Sequence, residues 1–111
     1  MLSVKKLLYK MLSFLYGDSD WTRLNPMITY RKRGGFVQVN VYGTVNVTAA
    51  WQTLGTLPLG YRPSTSFYFA GTTVSANASV IMDAEPDGRI LVRGYGSASL
   101  SVEASVTYIA A

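Results

Sequence analysis

Three carboxylates, Asp83, Glu85 and Asp87, fall at alternate positions around a Pro-Asp-Gly turn. A cluster of that kind could serve as a paired-acid glycosidase centre or as a calcium loop. Ala84 and Pro86 separate the acids, and the glycine placement and closing glutamate of an EF-hand loop are missing. Charged residues beside a hairpin tip keep it solvated, and the sequence assigns them that role. The remaining acids, Asp18, Asp20 and Glu103, are scattered, and the chain has neither histidine nor cysteine. This removes the usual general base of serine and cysteine hydrolases, the commonest metal ligand, and any disulfide or thiolate site. The chain therefore reads as a non-enzyme, with no metal and no cofactor.

Its aromatic residues carry more information. Trp51, Tyr61, Phe67, Tyr68, Phe69 and Tyr95 are dense for a chain of 111 residues. A saccharide site presents an aromatic face to the C–H surface of the sugar and a few polar groups to its hydroxyls. Trp51, Tyr61, Arg62, Arg93 and Tyr95 could supply such a set. The competing assignment puts Phe67 and Phe69 in the core and uses Trp51 and Tyr61 to wedge a corner shut.

The charge is unevenly placed. Lys5, Lys6, Lys10, Arg23, Arg31, Lys32 and Arg33 against Asp18 and Asp20 give residues 1–33 a net charge of +5. Arg62, Arg89 and Arg93 against Asp83, Glu85, Asp87 and Glu103 give residues 34–111 a net charge of −1. A nucleic-acid interface would spread basic residues over the folded body, so nucleic acid is not an expected partner. The Arg31-Lys32-Arg33 run sits on a strand end, where consecutive side chains point to alternate faces and make a poor phosphate groove. A solvated hairpin end, or protection of an edge strand from stray pairing, accounts for it.

The elements that hold these residues divide the chain in three. Residues 1–17 predict an amphipathic helix, with Val4, Leu7, Met11 and Phe14 on one stripe and Leu8 and Leu15 widening it. It is too short to span a bilayer and too short to stand alone. A signal peptide is opposed by Lys10 within the apolar run and by the lack of a small-residue cleavage site. A membrane-surface helix is a second reading, with membrane contact the lesser expectation. Packing on copies of itself, or docking on a larger partner, is the first. Residues 18–27, with Gly17 before them, read as a linker.

From Ile28 the spacing changes to alternation, giving a β-structured domain over 28–111. Gly34-Gly35 predicts a hairpin turn. Val37, Val39, Val41, Val45 and Val47 alternate with polar residues, and Gly43 among them predicts a bulge or sharp bend. Pro58 and Pro63 with Gly55 and Gly60 make a stiff corner over 54–63. Pro86-Asp87-Gly88 predicts a turn joining a strand near Val80–Met82 to one near Ile90–Arg93. Ala98, Leu100, Val102, Ala104, Val106 and Tyr108 share one face of a long last strand. The fold class expected is mainly β: an antiparallel β-sandwich or barrel, Greek-key or jelly-roll-like, with a short N-terminal helix.

The segment from Trp51 to Pro63 resembles the Trp-x-x-Leu-Gly-x-Leu-Pro-x-Gly-Tyr-Arg-Pro segment of phage tail-tip proteins. Tyr30-Arg31-Lys32-Arg33-Gly34-Gly35-Phe36-Val37 looks like their first head strand. Val80-Ile81 with Asp87-Gly88-Arg89-Ile90 is similar to their Asp-Gly hairpin, and Val106-Thr107-Tyr108-Ile109-Ala110 to their C-terminus. The family is the C-terminal head of tail-fibre or receptor-binding (baseplate) proteins from phages and prophages of Gram-positive bacteria. The resemblance implies a homotrimeric β-head at the virion tail tip, made in the bacterial cytoplasm, that recognises host cell-wall saccharide without covalent chemistry. Other phage tail or baseplate proteins are implied partners. Sugar-contacting residues vary within the family, so the resemblance carries no ligand residue across. Such proteins usually have a long shoulder and neck before the head, where only residues 1–27 stand here, so a small accessory prophage protein is a further expectation. A purely structural trimerisation component of the tail or fibre tip, binding no sugar, is the alternative reading.

Overall fold

In a computed structural model of the chain, residues 4–5, 19–73, 79–94 and 98–111 are described. Within them the alternating segments form strands: β1 (Ser19–Arg23), β2 (Ile28–Arg33), β3 (Phe36–Val47), β4 (Gln52–Thr56), β5 (Phe67–Thr73), β6 (Ser79–Ala84), β7 (Arg89–Arg93) and β8 (Ala98–Ile109). All pair antiparallel in one sheet of order β1-β2-β3-β8-β5-β6-β7-β4. The pairing is nested: β3 lies against β8, β4 against β7 and β5 against β6. From Phe36 to Ile109 the chain is thus one long hairpin with two bends in each arm. The lateral pairs β5–β8, between the arms, and β6–β7, within one arm, then curl the hairpin into a half-barrel. The expected mainly-β, antiparallel architecture is what the chain adopts.

The curl follows from the period-two pattern. Residues of one parity, Val37, Val39, Val41 and Val47 on β3, Val80 and Met82 on β6, Ile90 and Val92 on β7, and Val102 and Tyr108 on β8, fill the concave side and are buried. Gln38, Asn40, Tyr42 and Thr44 on β3, with Ser101, Glu103, Ser105 and Thr107 opposite them on β8, take the convex side. Each valine side chain so enclosed contributes roughly 1.5–3 kcal/mol relative to an exposed one, which holds the parity against slippage.

The sheet's two ends approach each other across the core. Asn25, in the turn between β1 and β2, donates from Nδ2 to the Leu54 carbonyl at 2.8 Å, while its Oδ1 accepts from the Met27 and Ile28 amides at 2.9 Å. Gly55 faces the same turn, and a Cβ there would lie 2.8 Å from Asn25 Nδ2 and 3.0 Å from Ile28 Cδ1 and Leu24 Cδ2. Gly55 is needed for this close approach, at a register shift between Thr53 and Gly55, and its φ is not positive. Asn25→Ala would strand the Leu54 carbonyl and the Met27 amide and leave Ile28 N–H only its 3.3 Å bond to Asn25 O. A loss of about 1–3 kcal/mol is expected. A lower urea midpoint at unchanged m-value would show it.

Several local expectations hold. Gly34 and Gly35 take φ of 55° and 87° between the paired Arg33 and Phe36, the two positive values of a type I′ turn. The Pro86-Asp87-Gly88 turn joins β6 to β7, closed by Gly88 N–H donating to Glu85 O at 2.8 Å.

Others are corrected. Of the bulge or sharp bend expected at Gly43, the bulge is absent, because β3 and β8 run in unbroken register from Phe36↔Ile109 to Val47↔Ala98. Gly43 instead makes room for Met27, whose Cγ a Cβ would meet at 2.8 Å. Ser19–Arg23, within the segment read as a linker, is a strand paired on β2. Its side chains are nearly all exposed, so it is held by backbone hydrogen bonds and left no hydrophobic signal in the sequence. With β1 outside it, β2 is an inner strand, so its basic run does not guard a free edge. Apart from Val4, which is exposed, the helix residues Leu7, Leu8, Met11, Phe14 and Leu15 lie outside the described residues, as does Tyr95.

Candidate functional site

The corner after β4 shows what Tyr61 and Arg62 do. Pro58 to Tyr61 is a turn closed by Tyr61 N–H donating to Pro58 O at 3.2 Å, with Gly60 at φ 91°. Leu57 behind it is fully buried. Arg62 Nε donates to Leu57 O at 2.9 Å, Pro63 bridges to Ala110, and Ala111 N–H donates to Arg62 O at 2.8 Å. Tyr61 packs edge-on against Tyr30, with ring centroids 4.8 Å apart, and its carbonyl accepts from the Tyr108 hydroxyl. Burial raises the Tyr108 pKa, so that hydroxyl stays a donor. Tyr61 and Arg62 therefore staple the corner to the C-terminus.

Trp51 and Arg93 are brought together, in a different place. Gln52 pairs with Val92, so Trp51, one residue earlier, lies beside Arg93 at the end of β7. The Arg93 guanidinium carbon sits 4.8 Å from the Trp51 ring centroid, within cation–π range. Tyr68 reaches the same place from β5, its ring centroid 6.2 Å from that of Trp51 at 36°. The set named from sequence thus divides into Trp51 with Arg93, and Tyr61 with Arg62.

Strand register explains how residues so distant in sequence meet. On the convex face one row runs Tyr68–Asp83–Leu91–Thr53 across β5, β6, β7 and β4. The next runs Ala70–Ile81–Arg93 and ends at Trp51. Trp51 and Tyr68 stand at opposite ends of these rows, so their converging rings lie across the strands that carry Leu91 and Asp83. Both of those face away from the main core, yet Leu91 is 6% and Asp83 only 3% exposed. A cleft of about 270 Å³ opens on the next row, lined by Ile81 and Arg93 with Ala49, Ser79 and Gly94.

Asp83 is the electrostatic anomaly of this face. Its Oδ1 is buried without a hydrogen-bond partner among the described residues. Loss of solvent, then a hydrogen bond to Glu85 and the Glu85 charge, push its pKa up to about 6, against a smaller opposing pull from Arg89. Glu85 is held below the usual carboxylate range by the Ser66 hydroxyl, which donates to Oε2, and by Asp83. Asp87 is lowered by the Arg89 amide and guanidinium, the latter 2.7 Å away. The three acids read from sequence as one solvated turn thus separate: Glu85 and Asp87 are at the surface, and Asp83 is enclosed. No group of three or more His, Cys, Asp or Glu among the described residues could hold a metal ion.

Sequence reasoning missed Tyr68 and Asp83 as members of this site. Tyr68 has the opposite parity to Phe67 and Phe69, the one available sign that it faces away from the core. Asp83 shares the parity of Ile81 and Glu85, but nothing local shows that its row is covered.

The basic run is spent on the fold. Arg31 lies 4.6 Å over the Trp21 ring and donates to Gln38 Oε1. Lys32 donates to Gly60 O at 2.9 Å, and Arg33 pairs with Asp20 at 3.0 Å. No helix among the described residues is long and apolar enough to cross a membrane. No family model and no curated protein matches the chain.

Proposed function

We propose that this chain is the receptor-binding head of a phage or prophage tail tip, which holds a host cell-surface saccharide non-covalently and acts as a homotrimer. The observation that carries the saccharide reading is the convergence of Trp51, Tyr68 and Arg93 on the convex face, where Arg93 also lines a cleft. Aromatic faces receive the C–H surface of a sugar, and a guanidinium supplies directed hydrogen bonds to its hydroxyls. The phage assignment rests on the motif resemblance at the corner, the Asp-Gly hairpin and the C-terminus. The nested pairing of β3–β8, β4–β7 and β5–β6 supports a jelly-roll-like head. A single weak site becomes useful when several copies engage one wall together, which is the advantage of a trimer.

Pull-down by purified Gram-positive cell walls tests the binding, and size-exclusion chromatography with light scattering tests the assembly. Trp51→Ala is expected to weaken wall binding at least tenfold. The change should cost no more than about 1 kcal/mol of stability, because Trp51 lies outside the main core. Failure of the assembled protein to bind any such wall would end the saccharide reading, and a monomer at working concentration would end the trimer.

A further inference from the structure

We infer that Asp83 is the hydrogen-bond acceptor of this site, and that its ligand is a neutral saccharide with adjacent hydroxyls, one donating to Asp83 and its neighbour accepting from Arg93. The inference rests on the saccharide reading above and adds the residue that orients the sugar and the charge class of the sugar.

The first ground is the unpartnered oxygen. A buried acceptor left without a donor costs more than an apolar group of the same shape, and a charged one costs most. Along its strand and across it, Asp83 has Ile81 and Leu91 as apolar neighbours, so a leucine at this position would satisfy the packing. Glu85 meets the carboxyl by one hydrogen bond, and Oδ1 still has no partner among the described residues. A ligand hydroxyl would satisfy it.

The second ground is position. Asp83 lies directly opposite Tyr68 and diagonally from Arg93, whose cross-strand partner is Ile81. Diagonal neighbours on a sheet face are roughly 7–8 Å apart at Cα, a span that adjacent hydroxyls of one sugar ring can bridge between two side chains. Tyr68 is 67% exposed, so its ring can turn aside and admit the ligand to the carboxylate it flanks.

Charge decides the class. An anionic sugar would face Asp83 and Glu85 together. An amine on the Trp51 face would meet the Arg93 guanidinium already standing there. A neutral diol meets one acceptor and one donor, and nothing repels it.

The test uses the full-length oligomer with purified Gram-positive cell walls as the probe, comparing the parent with Asp83→Leu, Asp83→Asn and Trp51→Ala. Asp83→Leu, which removes the acceptor, is expected to lose at least tenfold in binding while remaining as thermostable as the parent or more so. Asp83→Asn keeps a neutral carbonyl acceptor and should fall between them, and it decides the matter if the leucine variant does not fold. Binding by Asp83→Leu within twofold of the parent, while Trp51→Ala loses tenfold, would overturn the role of Asp83 and leave the saccharide platform standing. A parent that binds no wall would overturn both. Among soluble competitors, N-acetylglucosamine should displace the wall better than glucosamine or glucuronate. Preference for either charged sugar would overturn the neutral class.

Discussion

Asp83→Asn should make the protein more stable at pH 8, by on the order of 2 kcal/mol, which for a domain of this size is a rise in Tm on the order of 10 °C. The folded carboxyl titrates at about 6 against an ordinary 3.8, so between those values the native state holds a proton that the unfolded chain has lost. Stability therefore falls as pH rises through that window and stays low above it. The full shift corresponds to about 3 kcal/mol. The smaller figure allows for the proton being shared with Glu85. The asparagine amide can donate to Glu85 as the protonated acid does, without burying a charge. Its advantage should vanish below about pH 4, where the parent is protonated in both states. Glu85 and Asp87 have lowered values and lose their contributions as pH falls below the ordinary carboxylate range. Asp87 does so in both proteins, and Glu85 is coupled to Asp83, so the variant-minus-parent difference reports the Asp83–Glu85 pair. Thermal melts at pH 4, 5, 6 and 8 measure it, and a difference that does not grow with pH would sink the account. A substitution that stabilises the protein and weakens binding is what a functional residue held against the fold's preference should produce.

Gly88→Ala carries the largest expected loss, on the order of 3 kcal/mol. Gly88 sits at φ 94°, where an L side chain is strained, and a Cβ would lie 2.5 Å from Leu57 O and 2.6 Å from Arg62 Nε. Those two atoms form the 2.9 Å hydrogen bond that stiffens the corner, and Leu57 N–H in turn donates to Gly88 O at 2.8 Å. Backbone strain of about 1–2 kcal/mol adds to about 1 kcal/mol for each hydrogen bond disturbed. Gly34→Ala is the control. Gly34 also has positive φ, but an added Cβ meets nothing within 4 Å, so only the strain of about 1–2 kcal/mol remains. Chemical denaturation of both variants gives the comparison, and equal losses would show that the contact between turn and corner adds nothing. A loss of 3 kcal/mol is a large share of the roughly 5–15 kcal/mol that holds a domain together.

Trp51 and Arg93 were legible as a candidate pair because aromatic and guanidinium groups are the chemistry a saccharide site would use, and the fold does bring the two together. Tyr61 and Arg62 carry the same chemistry and were grouped with them, yet they face Tyr30, Leu57 and the C-terminus. Residue type alone cannot separate a tyrosine that wedges a corner from one that presents a face. The difference lies in what covers each ring, and the cover comes from segments far along the chain.

The sequence alone determined the local grammar of this protein. Period-two alternation set which residues share a face, because successive side chains on a strand point to opposite sides. Glycine and proline set the turns at Gly34-Gly35 and Pro86–Gly88, because few other residues reach those backbone angles. Tertiary structure alone decided which rows lie side by side. Tyr68, Asp83, Leu91 and Thr53 form one row through pairings between strands far apart in sequence, chosen as the whole apolar face is buried at once. That choice made Ser19–Arg23 a strand with no apolar pattern of its own. It also moved Asp83 from a solvated turn to an enclosed place between Tyr68 and Leu91, since the burial of a charge depends on the neighbours the whole sheet assembles around it.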